Sequence, residues 1–189
     1  MRNLIVSAAL LISLSTSPAR GEKPAPDEKP ATPAEGKVAL AEQVAQAAAA
    51  LEKRDSTLKP FLAAAHAYVV FPRVEKGALI VGGLRGRGIV FRAGKAIGYA
   101  LLTAAVGEDA PDGFTEVIAF ADARSFDRFA NNRFELGAKA GAVLVADGVG
   151  KAARYTDGVA VLIDIGDRKG DAPVLGAQKF SFVPMPEEE

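Results

Sequence analysis

A strongly curved, mostly antiparallel β-sheet or partial barrel with a few flanking short helices, an α+β fold, is what this 189-residue sequence predicts. Three observations point there. From Tyr68 onward, short β-branched or aromatic runs (AYVVF, GALIVGG, GIVFR, AIGYALLTAAV, EVIAFAD, GAVLVAD, GVAVLIDIG and QKFSFVP) are separated by glycine, proline, aspartate and asparagine, the texture of strands with short connections. No long helical pattern lies between them, which favours antiparallel pairing over βαβ crossovers. Gly82, Gly83, Gly86, Gly88, Gly137 and Gly141 fall inside or beside the runs, where glycines mark kinks and close approaches that let a sheet curl.

The elements follow in chain order. Residues 1–19 have the pattern of a secretory signal peptide: Arg2, an apolar stretch from Leu4 to Leu14, and the small residues Ser17-Pro18-Ala19. That stretch is short of the ~20 apolar residues a membrane-spanning helix needs. Residues 20–37, RGEKPAPDEKPATPAEGK, combine four prolines with mixed charge and are expected to form a disordered spacer. A single domain over residues 38–184 comes next, with its core over 58–184, and residues 185–189 read as an acidic tail.

Within the domain, Leu40, Val44, Ala47, Ala48 and Leu51 fall at i, i+4, i+7, i+8 and i+11, the stripe of an amphipathic helix over Val38–Arg54. Its apolar face is small residues and two leucines, too weak for strong membrane insertion, so it is expected to pack on the domain. A second short helix is predicted from Lys59-Pro60 to about Ala65, since proline is tolerated in a first turn. A third is predicted near 123–131, capped by Asp122 or Ser125, with Phe126 and Phe129 one turn apart.

Composition removes several functions. Lys+Arg and Asp+Glu both number 23, whereas a general nucleic-acid binder is basic overall. With no cysteine, the chain has neither disulfides nor a cysteine to carry a lipid. A phosphate loop fails on spacing: Gly94-Lys95 is followed by Ala96 rather than Ser or Thr. A dinucleotide fingerprint fails too, since Gly86-Arg87-Gly88 leads to Phe91 where a third glycine should stand. His66, the one histidine, cannot supply a zinc site and reads as structural. Asp157, Asp164, Asp167 and Asp171 lie near turns, where aspartate serves turn geometry. No catalytic residue, metal or cofactor is expected.

What remains is a basic cluster. Arg73, Lys76, Arg85, Arg87, Arg92 and Lys95 are six positive charges against Glu75 alone, a local +5. Near an anionic membrane each basic group contributes about 1 kcal/mol, so the cluster offers roughly 5 kcal/mol at most. The alternative is that these residues only solvate hairpin ends.

The stretch VVFPRVEKGALIVGGLRGRGIVF, Val69–Phe91, resembles the opening signature of the SYLF lipid-binding domain family: a strand, Phe-Pro, a lysine, then Gly-Gly-x-x-Gly-x-Gly. The likeness continues through EVIAFADARSFDRFANNRFELGAKAGAVLVADGVG to LGAQKFSFVP and covers about residues 58–184. The resemblance implies a compact β-rich, phospholipid-binding domain in which Phe71, Pro72, Lys76, Gly82, Gly83, Gly86 and Gly88 match the signature. Two departures stand out: the chain has no tryptophan, a natural interfacial anchor, and an alanine-rich helix replaces the basic amphipathic one of eukaryotic relatives.

The resulting expectation is a non-enzymatic envelope protein, periplasmic or secreted and peripherally membrane-associated. It would bind anionic phospholipid or a membrane surface through Arg73, Lys76, Arg85, Arg87, Arg92 and Lys95, with no nucleic-acid partner. The alternatives are a periplasmic protein-interaction or scaffolding domain with a protein partner, or a carrier enclosing a lipid or small apolar ligand inside the curved sheet.

Overall fold

A computed structural model describes residues 33–77, 83–105, 113–136, 142–145, 152–167 and 177–186. The predicted signal peptide, most of the spacer, Gly82, Gly137, Gly141, Asp171 and residues 187–189 lie outside the described residues. In chain order the elements are α1 (Pro33–Arg54), α2 (Leu58–Ala64), β1 (Ala67–Lys76), β2 (Gly83–Arg92), β3 (Lys95–Ala105), β4 (Phe114–Phe120), α3 (Ala123–Ala130), β5 (Glu135–Leu136), β6 (Ala142–Leu144), β7 (Val159–Asp164) and β8 (Gln178–Pro184). The strands form one sheet in the order β5-β8-β3-β2-β1-β4-β7-β6. Every pairing is antiparallel except β6 with β7. The α+β class and the curled, mostly antiparallel sheet, a half-barrel, are those the sequence predicts.

Side chains prove the curl. β4 and β8 are separated by β1, β2 and β3, four strand spacings or ~19 Å on a flat sheet. Yet Gln178 Nε2 of β8 donates to Glu116 Oε2 of β4 at 2.9 Å. The phenyl rings of Phe71 on β1 and Phe180 on β8 likewise come within 6.0 Å. The face carrying these residues is therefore concave.

Eight of the ten phenylalanines fill that concavity: Phe71, Phe114, Phe120, Phe126, Phe129, Phe134, Phe180 and Phe182. Helix α3 plugs it with Phe126 and Phe129. Asp122 fixes the start of the helix, its Oδ1 accepting from Ser125 N at 2.7 Å, with Ser125 Oγ returned to the Asp122 backbone in a reciprocal cap.

The glycines make room for the rings. A Cβ on Gly88 would stand 2.6 Å from the Val70 carbonyl oxygen and 2.7 Å from the Phe71 ring. At Gly98 it would stand 2.3 Å from the Phe182 ring and 2.7 Å from the Val183 carbonyl. Gly98→Ala is therefore expected to lower stability by ~1–3 kcal/mol, the usual cost of overpacking, read as a lower urea midpoint. An unchanged midpoint would show that the ring is not seated there.

The convex face is covered too. Leu40, Val44 and Leu51 of α1 and Leu58 of α2 bury against Val70, Ile89, Val117 and Leu162, which alternate with the concave-face residues along their strands. At its end, Arg54 ties α1 to the β7 terminus through Asp167 at 2.7 Å and Asp164 at 3.4 Å.

Two boundaries differ from the sequence expectation. Helix α1 begins at Pro33 rather than Val38, because proline suits a first helical turn and Glu35 favours the helix N-terminus. The stretch after Pro184 is not wholly a tail. Met185 N donates to the Ile97 carbonyl at 3.0 Å, and its side chain packs on the convex-face cluster.

Candidate functional site

Helix α1 presents Ala41, Ala45 and Ala48 on one side, at i, i+4 and i+7. Side chains this small do not reach the sheet, and α2 packs beside α1. What is left is a cleft of about 770 Å³ walled by the α1 alanines and by Leu58, Leu62, Ala63 and Ala65 of the α2 region. Its floor is Val70, Ile89, Val117 and the rings of Tyr68 and Phe91, stacked 5.2 Å apart. Ala93 and Gly94 close one end. They form the β2–β3 hairpin turn, with φ of 48° and 77°, the positive pair a two-residue type I′ turn needs.

Polar groups are few and gathered at the mouth. Glu52 of α1 and Lys59 of α2 line it and form an ion pair, Nζ to Oε2 at 3.6 Å. The Tyr68 phenol is half-buried, and burial, reinforced by the nearby Glu52 charge, raises its pKa. A cleft of this size, with apolar walls and a few convergent polar groups, is the form taken by small-ligand sites.

The six sequence-predicted cations do not form one patch. Arg85 and Arg87 lie along a single strand, both exposed. By alternation they share the convex face with Ile89. Arg92 is seven residues beyond Arg85, ~23 Å at strand rise, and its guanidinium lies 4.6 Å over the Phe126 ring on the concave side. Lys95 sits beside it across the hairpin turn. Alternation runs unbroken to the end of β2, Phe91 lying with Ile89 and Arg92 with Val90, so Arg92 falls on the opposite face from Arg85 and Arg87.

At the opposite end Arg73 pairs with Glu75, and Glu75 is in turn the cross-strand partner of Arg85. Lys76 stands opposite Leu84 at the end of β1. The same row continues through Thr103 to Lys179 and Glu135, the last two 3.5 Å apart. An acid stands at each end of this row, Glu75 next to Arg85 and Glu135 next to Lys179. Arg73, Lys76, Arg85, Arg87, Arg92 and Lys95 therefore do not share one face: strand length and side-chain alternation set Arg92 apart, and Glu75, already counted in the +5, lies beside Arg73 and Arg85.

The remaining signature residues are structural in their contacts. Phe71 is buried in the concave core and overlies Gly88 and Gly86. The Pro72 carbonyl accepts from Thr115 Oγ1 at 3.0 Å, and Gly83 opens β2. His66 donates its backbone N–H to the Phe120 carbonyl at 2.9 Å.

Sequence reasoning missed Glu116. It is fully buried in the concave core, where its Oε2 accepts from Gln178 and its Oε1 has no hydrogen-bond partner among the described residues. Burial pushes its pKa up to about 8, against a smaller lowering by Gln178, so it is largely protonated at neutral pH. A lone neutral carboxyl walled by phenylalanines has no second acid or base beside it among the described residues. Its position was readable as one face of β4, with Phe114, Ile118 and Phe120. No signal separated it from Val117, because both faces of β4 are buried.

Fold and site together define an α+β half-barrel with an apolar cleft between its outer face and a helical cover. Against known proteins, the chain matches no family model and no curated sequence.

Proposed function

We propose that this is a non-enzymatic phospholipid-binding protein of the cell envelope that holds an acyl chain in the cleft under α1. The observation behind this reading is the cleft itself, about 770 Å³ and walled by alanine, leucine, valine and aromatic rings. Each methylene transferred into such a site contributes ~0.8 kcal/mol. The resemblance of residues 58–184 to the SYLF family supports a phospholipid ligand, and the signal-like residues 1–19 support export. Among the described residues no helix is long and apolar enough to cross a membrane. Compared with the carrier alternative, the chamber moves: the curved sheet's interior is filled with phenylalanine, and the space lies on its outer side.

The test is titration with a phospholipid carrying an environment-sensitive fluorophore on its chain. Saturable, one-to-one enhancement that persists in high salt is expected, because apolar burial is not screened. The double variant Arg85→Glu/Arg87→Glu is expected to bind within about twofold of the parent. Loss of binding in that variant, or in high salt, would return the function to a headgroup patch.

One observation favours a second contact, with the membrane surface. Leu101 and Val183 are 49% and 54% exposed on neighbouring strands. Such a patch would serve for docking while lipid enters the cleft.

A further inference from the structure

We infer that the mouth of the cleft selects a zwitterionic headgroup, a phosphate esterified to an amino alcohol, on the acyl chain held beneath. The inference rests on the proposed lipid-binding reading and specifies its ligand. Among the described residues, the cleft lining carries charge only at Glu52 and Lys59. These stand on different helices, and their charged atoms are 3.6 Å apart. Both are exposed to water, so either can turn from its partner to a ligand at little desolvation cost.

The mouth offers one positive and one negative group, with net charge zero. An anionic headgroup gains Lys59 but meets Glu52, and a cationic one meets the reverse. A zwitterion satisfies both: its ammonium faces the Glu52 carboxylate and its phosphate faces the Lys59 ammonium. Charge-assisted contacts of this kind are stronger than neutral ones. The volume is in the range that holds one small organic ligand, which places one acyl chain inside.

The test is competition against the fluorescent lipid on the full chain, using three single-chain lipids of equal chain length. They are lysophosphatidylethanolamine, lysophosphatidylglycerol and a fatty acid, each below its micellar concentration. The ethanolamine lipid is expected to bind about tenfold tighter than either anion, the scale of one charge-assisted contact. Glu52→Lys is expected to invert the preference toward the glycerol lipid. The swapped pair Glu52→Lys/Lys59→Glu, which keeps both charges, is expected to restore it, and this separates headgroup reading from simple disruption of the helix pair. Equal affinity for all three lipids, or a preference unmoved by Glu52→Lys, would overturn the headgroup inference and leave the cleft reading standing. Failure of the fluorescent lipid itself to bind would overturn both.

Discussion

Glu116→Gln is expected to raise stability above neutral pH and to remove most of the protein's pH dependence between about 4.5 and 8. The carboxyl sits in the concave core, fully buried, with one hydrogen bond from Gln178 and, among the described residues, none to Oε1. Burial disfavours the anion and raises the folded-state pKa from 4.5 to about 8. Between those values the folded chain binds the proton and the unfolded chain has released it. Stability is therefore fullest below the unfolded value and falls as pH rises, by at most about 1.4 kcal/mol per pH unit. Above the folded value it levels off.

Glutamine keeps the shape and the neutral charge at every pH, and its carbonyl still accepts from Gln178. Urea denaturation at pH 5, 7 and 9 should show the parent losing stability and the variant staying nearly level. A parent that gains stability toward pH 8, or a variant weaker than it at pH 9, would show that burial does not disfavour the Glu116 anion.

Ala48→Phe is expected to abolish lipid retention without weakening the fold. Ala48 lines the cleft from α1 and is only half-buried, so a phenyl ring there has void rather than packed atoms to enter. Filling it returns ~0.8 kcal/mol for each methylene equivalent buried, and the melting temperature should hold or rise. Binding of the fluorescent lipid should fall by at least about tenfold, since the ring takes the place of part of the chain. A variant that melts as the parent does and still binds normally would place the lipid elsewhere. The basic residues provide the contrast, since reversing Arg85 and Arg87 should leave the cleft intact.

Much of the fold was legible because local chemistry and tertiary packing agree. Asp122 and Ser125 announce α3, Pro60 falls in the first turn of α2, and the glycines of β2 and β3 sit where phenylalanine rings cross the sheet. The site was less legible. From the sequence, Arg85 and Arg87 could have sat in a tight turn or along one bent strand. Only the register shows that Arg92 ends ~23 Å from Arg85 and on the opposite face. The acid beside Arg73 and Arg85 is Glu75 of β1, already in view within the sequence cluster. The cleft left its mark in the alanine strip of α1, but a strip of small residues also fits tight packing. Only the placement of α2 shows that a gap remains.

The most direct test is native mass spectrometry of the protein purified without detergent or organic solvent. A cleft that holds an acyl chain predicts a bound species of lipid mass at one per chain, absent from Ala48→Phe and retained by Arg85→Glu/Arg87→Glu. A protein that arrives empty and stays at its bare mass after incubation with phospholipid would contradict it.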